Sequence, residues 1–403
     1  MKKIPNKVIN LGLVFTGLII GLSICEMGLR LLGIKGLMKI DNITNPAPES
    51  YHQVDPILGW SLQPGATMWW RKEGASFIRI NRDGLLDRDH SKTKSDNTLR
   101  IAFLGDSFTE AVQVPREATF WSKVERKLNR CSAIKQADKK VEAINFGVHG
   151  YSTAQELLTL RQKVWQYQPD MVVLAFFIGN DLIDNSQKIG PAYRPYFIYQ
   201  NGQLVLDLSF VQSRNGKYEV KSIIDNLPSQ LVNNSRLLQV AKKVDMDQKT
   251  RAFNTERANM IAKHWKEPTE PEWQEAWHIT EGLLTLMAEE VRAKQAKFLV
   301  VTIGDPTDVI PDKKNRQELL KTNKIPDLFY ASQRIEKLGK KAKFPVLSLT
   351  EPFQAYAEKK QVCLHGFPNG EPCGGHWNEE GHRLASQLIA QKLCNDMIAK
   401  PGT

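Results

Sequence analysis

At 403 residues the chain is longer than one average domain, and with 41% hydrophobic and 25% charged residues it can build a substantial core. The net charge of +11 is spread along its length, without a Lys/Arg block and without helix-turn-helix or zinc-finger spacing. That argues against nucleic acid as a partner and leaves either an affinity for anionic surfaces and polymers or a role in solubility.

Met1–Lys7 carries three lysines, and Val8 to Cys25 then runs without a charge until Glu26 and Arg30. Eighteen helical residues span roughly 27 Å, close to the ~30 Å hydrocarbon core. No small-residue cleavage site follows, and Ile24 before Cys25 makes a poor lipoprotein site. The reading is a single-span anchor (residues 1–30, membrane contact through residues 8–25), with the lysines cytoplasmic and the remainder outside. A signal sequence is the alternative. Cys131, Cys363, Cys373 and Cys394 then lie beyond the membrane, where thiols pair. Cys363 and Cys373 flank a Gly/Pro loop and are candidate partners, although spacing does not fix connectivity. A metal site through Cys363, His365, Cys373 and His376 lacks a second C-x-x-C pair and is disfavoured.

Residues 31–50 read as a linker and residues 51–98 as a leader of short strands, with Asp83-Gly84 as a turn. Trp60, Trp69 and Trp70 there either pack the leader on its domain or form a sugar-stacking surface, the packing role being the favoured one. The main domain spans residues 99–398. Leu99–Leu104, Val141–Phe146 and Met171–Ile178 are apolar strands, separated by helices at Phe120–Leu128 and from Ser152 to about Gln166. Ser152 and Gln155 form a capping box. From about 185 to 267 the alternation breaks into a hairpin around Asn201-Gly202 and polar helical segments, read as an insertion capping the active face. Helices near Glu272–Ala293 and Leu328–Leu338 then alternate with strands Phe298–Ile303 and Val346–Leu349, and Thr350 is expected to cap a short helix. Asn378 caps the terminal helix. Strands alternating with helices predict a parallel α/β sheet.

Ser107 follows the first strand, where open α/β sheets bind ligands, and Asp106 can hold its turn by accepting backbone N–H bonds. The Gly150 N–H and the Asn180 side-chain amide, after the next two strands, are candidate donors to a developing oxyanion, each worth roughly 2.7–4 kcal/mol in a transition state. His376, before the terminal helix, is the candidate base for the serine proton. His382 is expected to pack or cap, and His149 lies in the Gly150 loop. An ordinary turn explains each segment taken alone; their recurrence at successive strand ends points to covalent acyl chemistry.

Gly105-Asp106-Ser107-Phe108-Thr109 resembles the nucleophile block of the SGNH (GDSL-type) hydrolase superfamily. Gly150 matches its second block, Gly179-Asn180-Asp181 its third, and Gly375 to His382 its histidine block. The span and leader resemble a membrane-anchored bacterial subgroup, which implies a cytoplasmic-membrane protein with its domain periplasmic or extracellular. The resemblance implies a three-layer α/β/α sandwich with a mostly parallel sheet and catalytic Ser107 and His376. It further implies an oxyanion hole of Ser107, Gly150 and Asn180, supporting roles for Asp106 and Asp181, and neither metal nor organic cofactor. The activity expected is hydrolysis of acyl esters, foremost acetyl esters, of a cell-envelope or extracellular glycan. An O-acetyltransferase and a non-catalytic glycan-binding protein are the alternatives.

One position departs from the pattern. The family's acid three residues before the histidine is here Cys373, and the nearest upstream carboxylate is Glu371. Either a Ser107–His376 dyad operates, oriented by a backbone carbonyl, or an acid arrives from elsewhere in the chain.

Overall fold

The computed structural model describes residues 6–32, 51–191, 193–211, 229–242, 244, 260 and 262–398. The chain divides into two units: residues 1–50 with 217–259, and residues 51–216 with 260–403.

In the larger unit the leader forms two antiparallel hairpins, β1 (His52–Asp55) with β2 (Gly59–Leu62), and β3 (Thr67–Trp70) with β4 (Ser76–Arg79). β5 (Thr98–Gly105), β6 (Lys140–Asn145) and β7 (Met171–Phe177) follow, then the hairpin β8 (Tyr196–Gln200) and β9 (Gln203–Asp207), then β10 (Lys297–Ile303) and β11 (Val346–Ser348). Five strands make one parallel sheet in the order β11-β10-β7-β5-β6. β7 lies in its middle, and its unbroken apolar run MVVLAFF suits a strand covered on both faces.

The two-residue period of the strands sorts the core into two layers. Val172, Leu174 and Phe176 point into a cluster with helices Thr153–Gln162, Pro271–Ala293 and Tyr330–Ala342. Met171, Val173 and Ala175 point the other way, toward helices Phe120–Leu128, Thr350–Lys360 and Glu379–Lys392. The result is the expected three-layer α/β/α sandwich. β6 and β7 flank β5 on opposite sides, so the chain reverses its direction of winding at the end of β5, and that is where an open sheet leaves a crevice.

Several boundaries differ from the sequence reading. The Ser152 capping box is present, but its helix ends at Gln162, and a tighter turn, Val164–Tyr167, closes on Gln168 at φ 51°. Thr350 is the first helical residue rather than the cap, and its hydroxyl lies 3.3 Å from that of Ser332. A helix at Lys313–Asn323 was not anticipated; Asp312 caps it by accepting the N–H groups of Lys314 and Asn315. The hairpin β8–β9 packs on helix Pro271–Ala293, with Tyr199 stacked on His278 at 4.1 Å. This part of the expected active-face cap therefore covers a helix of the outer layer, while residues 212–228 and 245–259 lie outside the described residues. Disulfides join Cys131 to Cys394 and Cys363 to Cys373, leaving Cys25 free.

In the smaller unit, helix Asn6–Leu31 contains the expected apolar span, and Gly12–Leu31 is long and apolar enough to cross a membrane. Its Glu26 carboxylate accepts the backbone N–H groups of Arg236 and Leu237, each at 2.9 Å, and Arg30 donates to the Asn234 carbonyl at 2.6 Å.

Leu174 is fully buried in the central strand. Leu174→Ala should destabilise the folded chain by about 2–5 kcal/mol, read from urea unfolding by tryptophan fluorescence. A loss below 1 kcal/mol would contradict this packing.

Candidate active site

The turn after β5 is fixed by the side chain it carries. Asp106 caps a single helical turn, Ser107–Glu110, by accepting the Phe108 N–H at 2.9 Å, as its place in the sequence predicts. Gly105 has φ +155°, and a Cβ there would stand 2.2 Å from Thr109 Oγ1. A side chain is therefore excluded at this position.

Ser107 Oγ lies 2.8 Å from His376 Nε2. His376 Nδ1 lies 2.6 Å from Glu73 Oε2, and the backbone N–H of His376 donates to Glu73 Oε1, also at 2.6 Å. A carboxylate only accepts, so Nδ1 carries the proton and Nε2 presents its lone pair to the serine hydroxyl. Burial pushes the Glu73 carboxyl up, but the hydrogen bond and charge of His376, its backbone N–H and the Gln113 side chain outweigh burial and hold it below the usual range.

Glu73 was absent from the sequence reading. It sits in the loop between β3 and β4, some three hundred residues before the histidine, and no local spacing marks it. Cys373 is bonded to Cys363, and Glu371 is exposed. The loop closed by that disulfide contains Asn369, whose amide accepts the Gly74 N–H at 2.9 Å and donates to the carbonyls of Arg71 and Gly74. Trp70 Nε1 donates to the Glu73 carbonyl at 2.8 Å. Gly375, at φ +67°, would place a Cβ 2.2 Å from Glu73 Oε1, so the carboxylate reaches the histidine only because glycine stands there.

Asn180 is tied to the nucleophile's turn: its Nδ2 donates to Asp106 Oδ2 at 3.0 Å and its second amide hydrogen has no acceptor among the described residues. Asp106 is fully buried; burial pushes its carboxyl up to about 6, against the Phe108 N–H, the His376 charge and the Asn180 amide. Asp181 turns inward to accept the Phe177 N–H at 2.7 Å. Gly150 stands at φ +73°, beside Trp60. Its loop is held by the His149 N–H donating to Glu110 Oε2 (2.7 Å), by Trp60 Nε1 donating to the His149 carbonyl (3.0 Å) and by the Tyr151 hydroxyl on the Trp60 carbonyl (2.6 Å). Trp60 thus packs the leader on the domain. The backbone N–H groups of Ser107 and Gly150 donate to no group among the described residues. His382 packs as expected, stacked on Phe120 and accepting its N–H at 3.2 Å.

No family model and no curated protein matches the chain. Among solved structures it is similar to an acetyl xylan esterase, AlAXEase, at 15% identity, over 73% of this chain and all of that one, with a TM-score of 0.38. A catalytic mutant of an acetylxylan esterase from Geobacillus stearothermophilus aligns at 9% identity, over 77% and 100% of the two chains, with a TM-score of 0.39. A lipase/acylhydrolase from Enterococcus faecalis aligns at 15%, over 75% and 100%, with a TM-score of 0.36.

Glu110, beneath the Gly150 loop, gives a test of the site's electrostatics. Burial pushes its carboxyl from 4.5 up to about 8, against the Tyr51 hydroxyl and the His149 N–H. Between those values the folded chain keeps a proton that the unfolded chain releases, so stability declines as pH rises through this window. Glu110→Gln cannot ionise. Its stability relative to the unsubstituted chain should therefore improve from pH 5 to pH 8, by up to about 1.4 kcal/mol per pH unit in urea unfolding. A difference that does not vary with pH contradicts a protonated Glu110.

Proposed function

We propose that the chain is an SGNH-type serine hydrolase that cleaves acyl esters, foremost acetyl esters, of a cell-envelope or extracellular glycan. In this reading helix Asn6–Leu31 tethers it to a bacterial cytoplasmic membrane, with residues 51–403 on the outer side. The observation that carries the reading is the hydrogen-bonded line from Glu73 through His376 to Ser107, 2.6 Å and 2.8 Å long.

Ser107 Oγ attacks the ester carbonyl as His376 Nε2 takes its proton, and Glu73 stabilises the imidazolium. The oxyanion is received by the N–H groups of Ser107 and Gly150 and the free amide hydrogen of Asn180. The acceptorless state of these donors supports that role. His376 then protonates the departing sugar hydroxyl, leaving an acyl-Ser107 ester. Water, deprotonated by His376, attacks that ester, releasing the acid and restoring the serine. Asp106 keeps the Asn180 amide aimed, and Asp181 holds the end of β7. The non-catalytic alternative drew its support from the missing acid at Cys373; with a carboxylate on His376 Nδ1 that support is gone.

The test uses a chromogenic acetyl ester and a fluorophosphonate probe. Ser107→Ala should lose both turnover and labelling. Glu73→Gln should lower kcat by about 10²–10⁴-fold with little change in KM, while Glu371→Gln leaves both unaltered. Unreduced kcat in Glu73→Gln would return the site to a Ser–His dyad, and unlabelled Ser107 in the unsubstituted chain would remove the esterase reading.

A further inference from the structure

Beside the leader's second hairpin lies a cleft of about 700 Å³, within the roughly 300–1,000 Å³ of ligand sites, and neither Ser107 nor His376 lines it. Four guanidinium groups line it: Arg79, Arg82, Arg88 and Arg116. Arg88 is neutralised by Glu125 at 2.8 Å, and Arg116 Nε donates to Asp87 at 2.8 Å. Arg82 is only 3.7 Å from Asp89, with both side chains largely exposed. Arg79 has no carboxylate partner among the described residues, and the buried Arg116 Nη2 has no acceptor. Asp87, Asp89 and Glu110 line the cleft too, but none of them forms an ion pair with Arg79, and Arg82 is held only loosely.

The outer face of the same hairpin is aromatic. Phe77, which lines the cleft, and its cross-strand neighbour Trp69 are 53% and 58% exposed, with ring centroids 5.4 Å apart. Arg71 lies 5.4 Å over the Trp69 ring. Buried packing does not account for such a pair; a flat partner with an apolar face and polar edges would. Of the leader tryptophans, Trp69 has the exposed face that sugar stacking needs, while Trp60 packs against the Gly150 loop.

The hairpin also links the cleft to the reactive serine. Its loop carries Glu73, and the cleft's lining includes Glu110, the last residue of the Ser107 turn, with Ala111 and Val112 after it. Arg79 lies at the far end of β4, six residues beyond Glu73 and on the order of 10–20 Å along the chain. A ligand touching both must be extended.

We infer that this cleft is a subsite for an anionic glycan, a polysaccharide bearing uronic-acid carboxylates. The inference rests on the glycan-ester reading above and narrows its substrate class. Arg79 and Arg82 pair with carboxylates in the fork geometry that guanidinium favours, and Trp69 with Phe77 supports the pyranose faces. A sugar several units away then delivers its ester to Ser107.

The test uses the full chain in detergent micelles carrying Ser107→Ala, so that binding is read without hydrolysis. Calorimetric titration at pH 7 compares a polygalacturonate oligomer with a dextran oligomer of the same length and a single-stranded oligonucleotide of the same charge. Polygalacturonate should bind at least tenfold tighter than either control. Arg79→Glu with Arg82→Glu should erase that preference, and Trp69→Ala should weaken binding at least threefold, with unchanged circular dichroism because all three side chains are exposed. Equal binding of dextran, tighter binding of the oligonucleotide, or polygalacturonate binding indifferent to the arginine changes would overturn the inference. These outcomes leave the fluorophosphonate result untouched, and an unlabelled Ser107 leaves the binding result standing.

Discussion

Both oxygens of Glu73 are spent on one residue, and the candidate site depends on that double grip. One oxygen accepts the His376 ring N–H and the other its backbone N–H, so ring orientation and loop position are fixed by the same carboxylate. Free rotation of the imidazole would leave Nε2 aimed at the serine only part of the time. With Nδ1 committed, the lone pair facing Ser107 is the default state, which is the preorganisation that proton abstraction requires. The leader is consequently part of the site. It is attached accordingly: Asp87, fully buried, accepts the Asn145 N–H at 3.1 Å, the His90 ring N–H at 2.9 Å and Arg116, binding the leader to the end of β6.

Beneath the nucleophile lies a set of buried acids that the hydrophobic effect alone would not place there. Asp106, Glu156 and Asp181 are fully buried, and neither oxygen of Glu156 has a hydrogen-bond partner among the described residues. Burial, and then repulsion from neighbouring carboxylates, pushes Glu156 and Asp181 well above the usual carboxylate range. Asp181 accepts one N–H, from Phe177, whereas Asp106 accepts two donors, from Phe108 and Asn180, and so touches both the serine's turn and an oxyanion candidate.

What the sequence reveals here follows the range of the forces involved. The strand β7, the helix Phe120–Leu128, the capping box at Ser152 and the Asn378 cap were legible because each is set by neighbouring residues: an apolar run, a 3.6-residue period, a side chain bonding two or three positions on. Ser107 and His376 were legible because each stands in a recognisable turn at a sheet edge, and the structure brings them together. Glu73 was not, because its role is conferred by Asn369, Gly375 and His376, none of which is near it in sequence. Thr350 misled for a related reason. A threonine before a helical run looks like a cap, but its hydroxyl meets that of Ser332 from another helix, a tertiary contact no local pattern contains. The insertion illustrates the same limit, since its hairpin was visible from Asn201-Gly202 while the surface it covers was not.

The cysteine that displaced the expected acid explains how the distant one can serve. An aspartate at 373 would have oriented His376 locally, and the leader loop could then be placed loosely. With Cys373 bonded to Cys363, the loop between them is closed, and the entropy removed from the unfolded chain by a closure of this size corresponds to about 3 kcal/mol. That loop holds Asn369, and Asn369 grips the backbone on both sides of Glu73. The Gly366 N–H further donates to the His376 carbonyl at 3.0 Å, so the histidine is fastened to the same closed loop. Carboxylate and imidazole are thus referred to one covalently restrained element although they come from opposite ends of the domain. The absence of an acid at 373 and the presence of one at 73 are therefore a single structural solution: the sulfur bridge confines the loop, and the loop confines the carboxylate.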